Sequence, residues 1–208
     1  MNNNYDKIAK NYDVLSRLVF GKSQVNAQIN QLKSIGDKSI VLIVGGGTGW
    51  ILEEISKIHS TGLEISYVEI SKEMITLSKA RNFEENTVDF VNIAIDDFYT
   101  SIEFDVILTP FLFDNFKLEK AELIFNKLNS MLKIGGFWLF VDFNLSKSKG
   151  KLWQRVLLNS MYIFFKTLGI VEASNLIEMT PYFLNRKFEI VQEQFYYNKF
   201  IKATVFKK

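Results

Sequence analysis

The chain has 208 residues, 48% of them hydrophobic, with 25 basic and 23 acidic side chains and a formal net charge of +2. That length fits one domain burying roughly 70% of its unfolded surface, and near-balanced charge spread along the chain argues against nucleic-acid binding, which needs clustered positive charge. The absence of cysteine excludes disulfides, thiolate nucleophiles and cysteine-based zinc sites.

The opening Met1-Asn2-Asn3-Asn4-Tyr5-Asp6 lacks the basic and apolar pattern of a signal peptide. No apolar run approaches the ~20 residues of a membrane span. A cytoplasmic protein without stable membrane insertion is expected. The first ~35 residues read as helical, with a break near Gly21-Lys22.

Residues 40–50 read Ile-Val-Leu-Ile-Val-Gly-Gly-Gly-Thr-Gly-Trp. The five apolar residues predict a strand over Ile40–Val44 covered on both faces. Gly45, Gly47 and Gly49 permit a sharp turn, positive φ and close passage of a ligand. A helix over 50–58 then points its free N–H groups and positive dipole end at the turn. In the dinucleotide fingerprint the third glycine falls at Trp50, where an indole obstructs close helix–strand packing. The turn therefore suits a nucleoside-type ligand better than a pyrophosphate. The only histidine, His59, falls at the C-terminal end of this helix, away from the strand carboxyl ends. It is expected to be structural, which leaves no Ser-His-Asp arrangement and no histidine metal site.

A strand over 63–69 ends in Glu69, 24 residues after Gly45. A carboxylate there can accept hydrogen bonds from both ribose hydroxyls; the alternative is a solvated strand-end glutamate. Ser71 is a candidate N-cap for a helix over 71–82. After a strand over 88–93 comes Ala94-Ile95-Asp96-Asp97-Phe98, whose aspartates also suit a simple turn. A strand over 104–109 runs into Thr109-Pro110-Phe111-Leu112-Phe113-Asp114, at the sheet edge where open α/β folds bind ligands. Phe111 and Phe113 are candidate pocket walls. Asp114 is a candidate polar orienter or base, or else an N-cap-like residue for a helix over 118–132.

A strand over 136–143 ends at Asp142 and Phe143, and Lys147, Lys149 and Lys151 read as a solvated loop. A helix over 153–168 places Trp153, Val156, Leu157, Ser160, Met161, Phe164 and Leu168 on one face. An ordinary core helix explains that stripe; a membrane-surface helix or a cover over a lipophilic substrate is the alternative. Runs at 188–197 and 200–206 around Asn198-Lys199 predict a terminal hairpin. The strand–helix alternation before it implies a parallel sheet between helix layers, joined by one antiparallel strand.

With these motifs the sequence resembles class I S-adenosylmethionine-dependent methyltransferases, over about residues 5–145. Within them it is similar to the small-molecule group of the quinone-biosynthesis type, which often begins with a pattern like Tyr5-Asp6 and Tyr12-Asp13 here. The resemblance implies an α/β, Rossmann-like three-layer sandwich with a seven-stranded, mainly parallel sheet of order 3-2-1-4-5-7-6 and an antiparallel strand 7. It implies one domain: a helical cap (1–36), a donor-binding core (37–145) and a C-terminal helix and hairpin (146–208).

The implied cofactor is S-adenosylmethionine, contacted by Gly45, Gly46, Gly47, Thr48, Gly49, Glu69, Ile70, Met74, Ile95, Asp96 and Thr109, with no metal. The implied partner is a small apolar or aromatic acceptor, methylated by in-line displacement, with Asp114 and Tyr12 as candidates for a catalytic part. Two positions depart from the family pattern. Ile43 stands where an acid usually precedes the glycines, and Ala94 stands in the usual slot of an acid that accepts from adenine, with Asp96 and Asp97 nearby. These departures motivate a second reading, a donor-binding protein with little catalysis. A third, a nicotinamide-dependent oxidoreductase, draws on the glycine turn with Glu69 but is opposed by the glycine spacing and the hairpin.

Overall fold

The computed structural model describes residues 5–145, 152–171, 173 and 175–208; Lys147, Lys149 and Lys151 lie outside the described residues. Its sheet comprises β1 (Ile40–Val44), β2 (Thr61–Val68), β3 (Glu85–Val91), β4 (Phe104–Pro110), β5 (Leu132–Phe143), β6 (Glu189–Tyr196) and β7 (Ile201–Lys207). Their order is β3-β2-β1-β4-β5-β7-β6. The first five strands pair in parallel, and β7 runs antiparallel to β5 and β6. This is the topology expected from the sequence. The helices are α1 (Ala9–Phe20), α2 (Ser23–Ile29), α3 (Trp50–Ser56), α4 (Lys72–Lys79), α5 (Leu118–Met131), α6 (Leu152–Thr167) and α7 (Thr180–Asn185).

Strand alternation divides the core in two. Val41 and Ile43 of β1 pack with Leu52 and Ile55 of α3 and Tyr67 of β2. Leu42 and Val44 point the other way, to Phe113, Phe125 and Trp138. Because successive strand side chains face opposite layers, a parallel sheet between helices needs an unbroken apolar run, and β1 supplies one. Ile43 is wholly buried as a result.

The second layer is aromatic. Trp138 stacks on Phe125 at 5.3 Å and meets Phe183 edge-on at 4.9 Å, while Phe183 lies flat on Phe206 at 3.8 Å. Such pairs contribute about 0.5–1.5 kcal/mol each beyond their area burial. They fasten α5 and α7 to β5 and β7. The buried indole N–H of Trp138 donates to Thr109 Oγ1 at 2.9 Å, which keeps β4 and β5 in register inside this layer.

Two sequence expectations are corrected, the first of them in part. The stripe on α6 is core in part: Leu157 and Met161 pack against the core and, with Ser160 and Phe164, line a cavity, whereas Trp153, Val156 and Phe164 are exposed and the most buried positions are Gln154, Leu158 and Tyr162. β5 starts at Leu132, directly after α5, because Gly135 takes φ +82 and shifts the pairing with β4 between Phe104 and Val106. The short helix α7 was not expected, although it opens with the Thr180-Pro181 pair that suits a helix start.

Candidate active site

The carboxyl ends of β1, β2 and β4 open onto one cavity of about 280 Å³. The glycine turn forms one rim. Gly45 and Gly47 have φ of +69 and +64, so the chain doubles back without side-chain cover. Gly46 is bare for a different reason: a Cβ there would lie 2.4 Å from the Tyr67 hydroxyl. That hydroxyl donates to the Gly47 carbonyl at 3.0 Å. Arg81 Nε donates to the Thr48 carbonyl at 3.0 Å, and Thr48 Oγ1 donates to the Asp13 carboxylate at 2.8 Å.

Glu69 closes the opposite rim. It is 6% exposed, and its two oxygens accept N–H bonds from Gly47 at 3.1 Å and Ser71 at 2.9 Å. Burial raises its pKa, while the amides of Ser71, Gly47 and Ile70 oppose the rise. A carboxylate offers about four acceptor sites, so with these three amides in place Glu69 keeps room for a further donor. Ser71 is the N-cap of α4, as expected, and its hydroxyl accepts the Met74 N–H at 3.1 Å. Asp6 reaches the same corner and accepts from the Ser71 hydroxyl at 2.6 Å and the Glu73 amide at 3.2 Å. The N-terminal segment is therefore fastened to both the glycine turn and the start of α4.

Ile70, Met74, Ala94, Ile95 and Asp96 continue the cavity wall. Asp96 Oδ2 pairs with Lys120 at 2.9 Å, whereas its Oδ1 is buried and meets no hydrogen-bond partner. The residues present fit an adenosine: a bare turn, a buried carboxylate with room for a further donor, apolar side chains, and an orphaned acceptor further along.

A second cavity of about 260 Å³ adjoins the first, and Tyr5, Tyr12, Phe111 and Asn115 line both. α6 contributes Leu158, Met161, Tyr162 and Phe165 to it, and Asp114 also faces it. Asn115 organises the junction. Its Nδ2 donates to the Phe111 carbonyl at 2.9 Å and to Asp114 Oδ1 at 3.0 Å, and its Oδ1 accepts the Tyr5 hydroxyl at 2.6 Å. Phe111 is held at φ +49, a costly conformation for a bulky side chain, by its own N–H bond to the Val141 carbonyl at 2.7 Å. Burial raises the pKa of both Tyr5 and Tyr12, with Asp114 and Glu69 adding to the rise.

Asp142 lies buried close to Asp114. Its Oδ1 accepts the Phe143 N–H at 2.7 Å, and its Oδ2 has no hydrogen-bond partner. Burial raises the pKa of both carboxyls, and their mutual repulsion adds to the rise for Asp114; nearby amides of Phe113 and Asp114 partly offset it for Asp142.

Of the residues expected at the donor, Gly45, Gly46, Gly47, Thr48, Glu69, Ile70, Met74, Ile95 and Asp96 line the first cavity, as does Tyr12. Two do not. Thr109 is fully buried under the Trp138 indole, on the core face of β4, and Pro110 takes the rim instead. Gly49 is the left-handed N-cap of α3, where a Cβ would lie 2.4 Å from Ser78, so it serves helix packing. Asp114 is not a helix N-cap: Lys117 precedes α5, and Asp114 sits in the single turn Phe113–Asn115. His59 lies on the far side of the sheet edge, against Asp37 at 3.1 Å. Sequence reading missed the bracing roles of Asp13, Tyr67, Arg81 and Asn115. Only Asp13 carried a signal, through the repeated Tyr-Asp pair.

Residues 41–136 match the sequence profile of a family described as a methyltransferase domain. No curated protein matches the chain in sequence. Solved structures share the fold at low identity. The 1,6-didemethyltoxoflavin-N1-methyltransferase of Burkholderia thailandensis, with bound 1,6-didemethyltoxoflavin and S-adenosylhomocysteine, is 12% identical, over 99% of this chain and 86% of that one, with a TM-score of 0.63. A SAM-dependent methyltransferase from Aquifex aeolicus is 15% identical over 97% of each chain, with a TM-score of 0.58. The N-methyltransferase NodS of Bradyrhizobium japonicum, in complex with S-adenosylhomocysteine, is 12% identical over 89% of this chain and 83% of that one, with a TM-score of 0.57. The profile match spans β1 to β4 and the start of β5, and the chain shares the fold of these solved methyltransferases. Among the described residues no helix is long and apolar enough to cross a membrane.

Proposed function

We propose that this methyltransferase domain uses S-adenosylmethionine to methylate a small molecule with an apolar or aromatic body. One observation carries the donor side: the glycine turn and Glu69 border a single cavity and are hydrogen-bonded to each other. When bound, S-adenosylmethionine supplies a methyl group already activated on a sulfonium. The chain's own residues therefore need only align the partners and exclude water.

On this reading Glu69 accepts from the ribose hydroxyls, Asp96 Oδ1 accepts from the adenine amino group, and Ile70, Met74 and Ile95 flank the ring. The bare backbone of Gly45, Gly46 and Gly47 receives the amino-acid tail. Tyr67, Arg81 and Asp13 hold that backbone, a task for which the family's usual acid is missing at Ile43. Tyr5 and Tyr12 close the site from the N-terminal segment, which serves as a cap on one domain. The aromatic second cavity receives the acceptor beside the donor. The Tyr5-Asp6 and Tyr12-Asp13 pairs support a relationship to the quinone-biosynthesis type.

The test is transfer of labelled methyl from S-adenosylmethionine to fractionated cell extract. Label is expected in small, organic-soluble products and absent with Glu69→Ala. Donor binding without transfer to any fraction would support a binding protein instead, and label confined to protein or RNA would overturn the acceptor class.

A further inference from the structure

The second cavity has a chemical polarity beyond being apolar. Its ionisable lining consists of Asp114 and tyrosines; no lysine, arginine or histidine lines it among the described residues. Asp142 lies buried close to Asp114 with Oδ2 unpartnered. Tyr162, 7% exposed on α6, lines the same cavity, and its hydroxyl also has no hydrogen-bond partner. Asp114 and Tyr162 thus share an aromatic enclosure in which, among the described residues, no cation balances the carboxylate, with Asp142 buried nearby. Buried acids without a cationic partner are costly, and so are buried polar atoms without hydrogen bonds. A ligand that brings positive charge and several N–H donors removes both costs. A hydroxyl brings one donor and no charge, and a carboxylate repels the pair. The rings of Phe111, Phe143, Phe164 and Phe165 around the same space favour a cation near their faces.

We propose that this cavity selects an acceptor carrying a basic amine on an apolar body, with Asp114 and Tyr162 holding the amine. The inference rests on the methyltransferase reading and narrows its acceptor. An amine entering as ammonium gives one proton to the Asp114 carboxylate. The freed nitrogen lone pair forms the N–C bond to the donor's methyl as the methyl–sulfur bond breaks, its electron pair passing to sulfur. The product leaves as the N-methylated ammonium, and the proton on Asp114 passes to solvent.

Calorimetric titration of the full chain saturated with S-adenosylhomocysteine tests this without turnover. The probes are benzylamine, 2-phenylethylamine and tryptamine, each against the alcohol of the same body. At least one amine is expected to bind about tenfold or more tightly than its alcohol, because its hydrogen bonds are charge-assisted. Asp114→Asn should erase that preference while leaving S-adenosylhomocysteine affinity within about twofold, since Asp114 does not border the first cavity. If Asp114→Asn fails to fold, Tyr162→Phe carries the test and should reduce the preference several-fold. Equal binding of amines and alcohols, or a preference untouched by both substitutions, overturns the proposal while leaving the donor site intact. Failure of S-adenosylhomocysteine to bind the unaltered chain overturns the methyltransferase reading, and this inference with it.

Discussion

Glu69 Oε2 accepts the Gly47 N–H at 3.1 Å, so the carboxylate ending β2 fastens the turn that follows β1. The proposed ribose acceptor and the proposed cradle for the amino-acid tail are thus one hydrogen-bonded unit. Ligand affinity and local order should respond together when either is changed.

Gly46 tests the packing half of that unit. A Cβ at this position meets the Tyr67 ring and hydroxyl at 2.4–2.6 Å. Gly46→Ala should destabilise the fold by about 1–3 kcal/mol, the usual range for overpacking. Tyr67→Phe relieves nothing but removes the bond to the Gly47 carbonyl, and should cost about 1 kcal/mol. Urea denaturation of the two variants checks both values. An unchanged midpoint for Gly46→Ala would mean that the turn is looser than described.

Thr109 separates a core role from a ligand role. It sits under Trp138 rather than at the cavity. Thr109→Val preserves shape and orphans the indole N–H, so a loss of about 1–3 kcal/mol is expected. S-adenosylhomocysteine affinity should stay within experimental error. A weakened ligand with unchanged stability would return Thr109 to the site.

The Asp114–Asp142 pair makes stability fall with rising pH. Below about pH 4 the carboxyls are protonated in both folded and unfolded chains, and the pair contributes no pH dependence. Above it, the unfolded carboxyls ionise while the buried ones resist, because burial raises both and repulsion adds to the rise for Asp114. Stability therefore declines until the raised folded pKa values are passed, and the loss is then complete. Asp142→Asn removes one charge and keeps an acceptor for the Phe143 amide. It should recover about 1–2 kcal/mol at pH 8 and little at pH 4. Parallel chemical denaturation at the two pH values measures this, and an equal effect at both would contradict the shared-burial account.

Asp13 braces the turn from outside. It accepts from Thr48 and lies 3.4 Å from Arg81, which itself holds the Thr48 carbonyl. Asp13→Ala should cost about 1 kcal/mol of stability, because the group is partly exposed and screened. Slower S-adenosylhomocysteine association or faster release should accompany it, measured by surface-immobilised kinetics. Unchanged kinetics would confine Asp13 to the N-terminal segment's own docking.

Much of this was legible because local and global signals agree. The run Ile40–Val44 and the glycines after it admit few backbones, and the hairpin at Asn198-Lys199 fixed the antiparallel strand. Tyr197, Asn198 and Lys199 all take positive φ there. What failed depends on contacts far apart in sequence. The face α6 buries is set by a cavity it encloses with the N-terminal segment, so helical periodicity alone found Leu157 and Met161 but missed the more deeply buried Leu158 and Tyr162. Thr109 reads as a ligand contact by position, and only the Trp138 indole, 29 residues on, explains it. Ile43 reads as a lost acid, yet the turn is braced by Tyr67 and Arg81, which no local spacing announces.

The most direct measurement is calorimetric titration of S-adenosylhomocysteine into the unaltered chain and into Glu69→Ala, with NAD as a control and folding monitored alongside. S-adenosylhomocysteine should bind, Glu69→Ala should weaken it by roughly 1.5–3 kcal/mol through the lost ribose bonds, and NAD should give no heat. Tight NAD binding without S-adenosylhomocysteine binding, or full S-adenosylhomocysteine affinity in folded Glu69→Ala, would contradict the account.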